Sequence, residues 1–354
     1  MRSTSPVSSG WTPQQFRQAY NVPLTQQNNK PPGYGIKVAV IVAYHYSNLQ
    51  SDLNKWAQQF NGTPIILNII NQAGSAKNNS WALEAALSVQ MINAVSPGAT
   101  VYVIEAKSVS QNDMRVAMQT AVNLGANIVS MPFGADETFA EGSQAYLFLS
   151  SHVVWIAASG DSSTPSFPAT YPDVIAVGGT TAQLDSSYNL LSEAAWVDAG
   201  AGMSIVERMP SFQMIPSVQQ RNTTAYRSVP DVAFYADPEH GAQIYASVLG
   251  GWVVVGGTSV STAFFTGVVA NVNSARKAQN LPLLTSVIGQ GVSLQDSLYK
   301  LMSTNGGPTN STVLHDVVNG IAGEGSYPAG PGYDIATGLG SLNVQQFIEY
   351  MLTQ

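Results

Sequence analysis

Two hydrophobic rhythms alternate along the first 160 residues. Short continuous apolar runs occur at IKVAVIVA (36–43), TPIILNII (63–70), TVYVIEA (100–106), NIVSMPF (127–133) and HVVWIAAS (152–159). Runs of this length, unbroken by polar residues, predict strands covered on both faces. Between them lie SNLQSDLNKWAQQF (47–60), SWALEAALSVQMINAV (80–95) and QNDMRVAMQTAVNLG (111–125), which read as helices; Pro97-Gly98 stops the second and a glycine the third. Strand–helix–strand alternation predicts an α/β fold, a mostly parallel sheet with helices on both faces. The right-handed crossover rule restricts its topology further.

Beyond residue 160 glycine, proline, serine and aspartate punctuate shorter strands such as VIAVGG (174–179) and GGWVVVGG (250–257). Helical character returns at 259–278, residues 305–340 are glycine-rich and loop-like, and NVQQFIEYML (343–352) closes as a helix. No repeat, low-complexity linker or shift in composition marks a boundary, so residues 1–354 are expected to form a single domain. Ligands bind open parallel sheets at the carboxyl ends of the strands. Four features fall there: the helix carrying Glu84 and the turns SMPFG (130–134), ASGDSS (158–163) and GGTS (256–259). Their convergence predicts one cleft.

Charge narrows the setting. Only 10% of residues are charged, with 14 Lys plus Arg, against about 25% in ordinary soluble proteins. One reading is an acidic medium: with exposed carboxylates protonated, a normal load of bases would repel itself. The other is a polar secreted protein. The net charge of −7 and the lack of basic clusters argue against nucleic-acid binding. No apolar run reaches a membrane span, and the polar start reads as lacking a leader. There is no cysteine, hence no disulfide or thiolate metal site. Asn78, Asn222 and Asn310 begin N-x-S/T sequons.

In GGTSVSTAFFTG (256–267) Ser259 stands at the mouth of an apolar helix. A serine nucleophile needs a base, and none of His45, His152, His240 and His315 lies in an obvious catalytic setting. Glu84 is the alternative base. It shares a helical face with Ser88, four residues on, in an unusually apolar helix, although most helix glutamates are solvated charges. Asp161 in SGDSS either caps its turn or, protonated, donates to an oxyanion. HDVVNG (315–320) and AGPGYD (329–334) hold either a hard cation such as calcium or a pair of Asx turns.

Taken in order, these stretches resemble the sedolisins, the serine-carboxyl peptidases of subtilisin-like fold that work in acid. The resemblance covers nearly the whole chain: GWTPQQFRQAYNV (10–22), IVSMPFG with Glu137, SGDSS with FPATYPDVIAVGGT (159–180), VPDVAFYADPEHG (229–241), GGTSVSTAFFTG and HDVVNG with AGPGYDIATGLGSLN (315–343). It implies Ser259 as nucleophile, Glu84 as the base that replaces histidine, and Asp161 as oxyanion stabiliser. It implies substrate contacts at Ser130, Phe133, Gly134, Gly257 and Thr258. A structural calcium ion would be held by the Asp316 and Asp334 side chains and the main chain of Val317, Gly330 and Gly332. The family pattern puts an aspartate where this chain has Ser88, a proline at Ala263, and serine and tryptophan at Pro132 and Phe133. The implied activity is a secreted, acid-active endopeptidase cutting proteins or peptides, weakened or shifted in pH by Ser88. The alternative is a catalytically silent extracellular binding or structural protein on the same fold.

Overall fold

The computed structural model describes residues 9–25, 29–138, 145–149, 152–304 and 311–354. Along the chain run α1 (Pro13–Ala19), β1 (Lys37–Ala43), α2 (Leu49–Gln59), β2 (Ile66–Asn71), α3 (Asn79–Val95), β3 (Thr100–Ala106), α4 (Gln111–Asn123), β4 (Ile128–Met131), α5 (Ala145–Phe148) and β5 (Val154–Ala158). The second half contributes β6 (Val174–Leu184), β7 (Leu190–Ala195), β8 (Gly202–Arg208), α6 (Pro216–Gln219), β9 (Tyr226–Val229), β10 (Val232–Tyr235), β11 (Ala242–Ala246), β12 (Gly251–Val255), α7 (Thr258–Ala278), α8 (Leu294–Thr304) and α9 (Val344–Met351). Among the described residues no helix is long and apolar enough to cross a membrane.

The central sheet has the order β10-β6-β5-β4-β1-β3-β2, with every neighbouring pair parallel. β7 adds an antiparallel strand to the far end of β6. β1 shows why the strands read as unbroken apolar runs. Val38, Val40 and Val42 enter the core shared with α3 and α7, whereas Ala39, Ile41 and Ala43 enter the core shared with α4. Both faces are covered, so after the exposed Lys37 every position of β1 is apolar.

The predicted strands and helices recur with shifted ends. The 63–70 run pairs only from Ile66, on the exposed edge of the sheet. The 174–179 run continues to Leu184 because residues 180–184 ladder with β7. Of GGWVVVGG only Gly251–Val255 is strand; its last two glycines form the turn into α7.

α3 and α7 lie side by side on one face of the sheet and carry Glu84 and Ser259 into the cleft. Their approach depends on Gly267, where a Cβ would lie 2.7 Å from Val95 Cβ. The Ser96 hydroxyl, at the end of α3, meets the Gly267 carbonyl at 2.7 Å and the Asn271 side-chain oxygen. Asn271 Nδ2 donates to the Val95 carbonyl at 3.0 Å. Gly267→Ala therefore sets two effects against each other. Helix propensity alone would stabilise by roughly 0.8–1 kcal/mol, whereas overpacking costs about 1–3 kcal/mol. With a contact this close the steric term wins. Urea unfolding should show a net loss of stability, and a gain would refute the close-packing account.

Candidate active site

Three elements deliver side chains to one cleft of about 430 Å³ at the carboxyl ends of β4 and β5. Asn78 caps α3, its side-chain oxygen accepting from the Ser80 and Trp81 backbone N–H groups at 3.0 and 3.2 Å. Capping fixes the first turn, so Trp81 and Glu84, three residues apart, both line the cleft. Gly257 precedes α7 with φ +109°, a conformation suited to glycine, and Ser259 follows in the first turn of the helix. The Ser259 hydroxyl donates to the Pro132 carbonyl at 2.9 Å and lies near enough to Glu84 to lower that group's pKa. It has one proton to give.

Glu84 is half-buried in the cleft wall. Removal of its carboxyl from water dominates its titration and pushes its pKa up to about 8; the Ser259 hydroxyl opposes this, the nearby Asp161 charge adds to it, and Ser88 opposes it. Ser88 is fully buried behind Glu84 and offers a hydroxyl 3.5 Å from Oε1, at the limit of a hydrogen bond. Across the cleft, Asp161 Oδ1 accepts from the Thr258 N–H at 2.8 Å and from the Thr258 hydroxyl at 2.7 Å. Its Oδ2 lies against Gly257, where a Cβ would come within 2.5 Å of it. Glycine at 257 is thus what lets the Asp161 carboxyl sit beside the nucleophile's helix.

Of the expected substrate-binding residues, Phe133, Gly134 and Thr258 line the cleft. Ser130 does not. It is fully buried and accepts a hydrogen bond from the Thr266 hydroxyl at 3.1 Å. The cause is strand alternation: Ile128 belongs to the α3/α7 core and Val129 and Met131 to the other, so Ser130 points inward with Ile128. Gly257 shapes the site through Asp161 rather than by lining the cleft. Sequence reasoning missed Trp81 and Asp136, both of which line it. Trp81 was discoverable from its spacing before Glu84. Asp136 carried no local signal.

No histidine lines this cleft. His45 Nδ1 pairs with buried Glu105 at 2.7 Å, and His315 Nε2 lies 3.8 Å from buried Glu193. Asn222 is only 2% exposed, and its Nδ2 donates to the Tyr226 carbonyl and the Ser228 hydroxyl, so its sequon is closed to a glycan in the folded chain. Asn78 is exposed, and Asn310 lies outside the described residues.

The loops at 315–320 and 329–334 do meet. Gly332 N–H donates to Asp316 Oδ2 at 3.1 Å, and Gly330 N–H donates to Asp334 Oδ2 at 2.9 Å. Burial pushes Asp334 up to about 6, and the Asp316 charge contributes to the rise. Among the described residues neither carboxylate has an ion-pair partner, and no cluster of three or more His, Cys, Asp or Glu side chains forms. The two carboxylates are hard oxygen donors, of the kind that suits calcium rather than a softer metal.

Comparison with known proteins agrees with this geometry. The profile of the subtilase family matches residues 8–298. Sedolisin of Pseudomonas sp. is 32% identical over 54% of this chain and 31% of its own length. Kumamolisin of Bacillus sp. is 29% identical over 96% of this chain and 63% of its own length. The chain thus spans less than two thirds of either relative. Among solved structures, Pseudomonas sedolisin, a serine-carboxyl proteinase complexed with two molecules of pseudo-iodotyrostatin, superposes with a TM-score of 0.81 at 25% identity, covering 98% of both chains.

The raised Glu84 pKa predicts a stability signature. The folded chain holds the Glu84 proton up to about pH 8, whereas the unfolded chain releases it near the ordinary 4.5. Between those values the unfolded state binds fewer protons, so this group's contribution to stability falls as pH rises. Glu84→Gln, which stays neutral, should raise Tm at neutral pH and leave it nearly unchanged in acid. An equal shift at both pH values would show that Glu84 is not held protonated.

Proposed function

The chain belongs to the subtilase family, in its sedolisin branch, and we propose that it is a secreted serine-carboxyl endopeptidase acting through Ser259. The observation that carries this reading is the meeting of Ser259, Glu84 and Asp161 in one cleft that no histidine lines. The Ser259 oxygen attacks the peptide carbonyl carbon, forming a C–O bond while the carbonyl electron pair moves onto oxygen. Glu84, as carboxylate, takes the hydroxyl proton. Asp161 is held through Oδ1 by Thr258. In its protonated form it donates to the oxyanion, an interaction that matters only once charge develops there. Collapse breaks the C–N bond, the leaving amine takes the proton from Glu84, and water then hydrolyses the acyl-enzyme by the reverse sequence.

Ser88 governs the pH dependence. Two adjacent carboxyls lose a first proton at low pH and share the remaining one, which gives a singly charged, base-competent state in acid. Here a lone Glu84 with pKa about 8 is protonated in acid and unable to accept. The low charge density supports secretion into an acidic medium. In that medium the fold is favoured while the base is mostly blocked.

Cleavage of a denatured protein between about pH 3 and about pH 9 should be weak for the parent in acid, where Glu84 is protonated, and weak again in alkali, where Asp161 has no proton to donate, with its maximum between the two. Ser259→Ala should abolish it. Ser88→Asp should raise the acid rate at least about tenfold, since the carboxyl it introduces, when protonated, donates a strong hydrogen bond to ionised Glu84 and lowers its pKa. The 3.5 Å Ser88 contact favours one rival reading, a silent binding or structural protein. Cleavage by Ser88→Asp alone would establish that rival, and no cleavage by any variant would remove the peptidase reading.

Asp316 and Asp334, with the carbonyls of Val317, Gly330 and Gly332, would hold calcium. Bound there, the ion would neutralise both carboxylates and tie the two loops together, which is a structural role. A metal that binds only the folded chain adds about 2.7 kcal/mol at a hundredfold excess over Kd. Calcium should therefore raise Tm and a chelator reverse the gain, while Asp334→Asn should respond to neither. A Tm indifferent to calcium in the parent would count against the site.

A further inference from the structure

The cleft is acidic throughout. Among the described residues Glu84, Asp136 and Asp161 line it, and no lysine, arginine or histidine does. The first and last belong to the chemistry proposed above, but Asp136 does not. Its backbone is held from both sides. Ala135 exchanges two backbone hydrogen bonds of 2.9 Å with Phe167, and the Glu137 carboxylate binds the Ser204 hydroxyl and the Ile205 N–H. Between these anchors Asp136 is exposed and has no hydrogen-bond or ion-pair partner among the described residues.

The wall of the same cleft includes closely packed backbone. Gly134 and Gly160 face each other across Ser166: a Cβ on Gly134 would lie 2.3 Å from Ser166 Cβ, and one on Gly160 would lie 2.5 Å from Ser166 Oγ. Ser166 thus fills the space that side chains at 134 and 160 would take, and the exposed Asp136 lines the cleft beside them. Trp81 and Phe133, with ring centroids 6.0 Å apart, supply an apolar surface in the same cleft. An apolar flank with a carboxylate at the rim suits a long aliphatic stem that ends in a cation.

We propose that Asp136 is a specificity-determining residue that selects a lysine or arginine of the bound peptide. An ion pair at a partly solvated rim is worth a modest factor, about two- to fivefold. The inference rests on the peptide-binding reading of the cleft, so its test uses binding as well as cleavage. Fluorescent hexapeptides carrying lysine, norleucine or glutamate at each position in turn are titrated onto the Ser259→Ala protein. At one position lysine should bind about two- to fivefold tighter than norleucine. Asp136→Asn should erase that difference at that position alone, and Asp136→Lys should transfer the preference to glutamate. The proposal is overturned if the parent prefers lysine nowhere, or if Asp136→Asn keeps the whole difference. If the binding preference is present but the protein with Ser259 intact cuts none of the same peptides, Asp136 selectivity stands and the peptidase reading falls.

Discussion

The packing of α3 against α7 is the constraint on which the site depends. Glu84 and Ser259 sit on different helices, and nothing within either helix fixes their separation. It is set by the bare backbone at Gly267 against Val95 and by the polar lock of Ser96 and Asn271. At 1.5 Å per residue that contact lies about 12 Å along α7 from Ser259. A displacement there carries directly to the cleft, and catalytic geometry tolerates little misplacement. The sheet does the rest. β4 ends where the Pro132 carbonyl meets the Ser259 hydroxyl, and β5 ends one short turn before Asp161.

Other buried carboxylates show what Glu84 lacks. Glu193 accepts from the hydroxyls of Tyr20, Thr180 and Ser341. Asp231 accepts from Arg227, from Tyr299 and from the Ala176 N–H. Each receives enough donors to offset its removal from water. Glu84 receives a remote Ser88 hydroxyl, while the Ser259 hydroxyl donates to the Pro132 carbonyl. This undersupply goes with the raised pKa that makes Glu84 a functional-site candidate, and it would also make the group a poor base in acid.

Much of the fold was legible because its strands are covered twice and its helices are capped in sequence. The Thr12-to-Gln15 capping box that opens α1 is written in the TPQQ stretch, although helical periodicity there is too short to stand out. Ser259, Glu84 and Asp161 were found through the order of their motifs, since each is ordinary when taken alone. Ser130 was misread because motif proximity to the cleft was weighed above the two-residue alternation of β4. The burial of Asn222 was not legible because a sequon says nothing about burial. Asp136 was invisible because its role depends on residues from three separate segments, and no period or spacing links them.

The burial that hinders catalysis in acid serves the fold there. Glu84, Asp173 and Glu207 all have pKa values raised chiefly by removal from water. For such groups the folded state holds its proton to higher pH than the unfolded state, so their contribution to stability improves as pH falls toward the ordinary carboxylate range. Hydrogen-bonded carboxylates with lowered values behave oppositely, but Asp113 and Asp185 are exposed and weigh little. Together with the small number of bases, this makes acid a favourable medium for the chain. A second carboxyl at position 88 would let the chemistry follow the fold into acid. With serine there, a Glu84 acting as base and the stability that its burial lends would depend on pH in opposite directions.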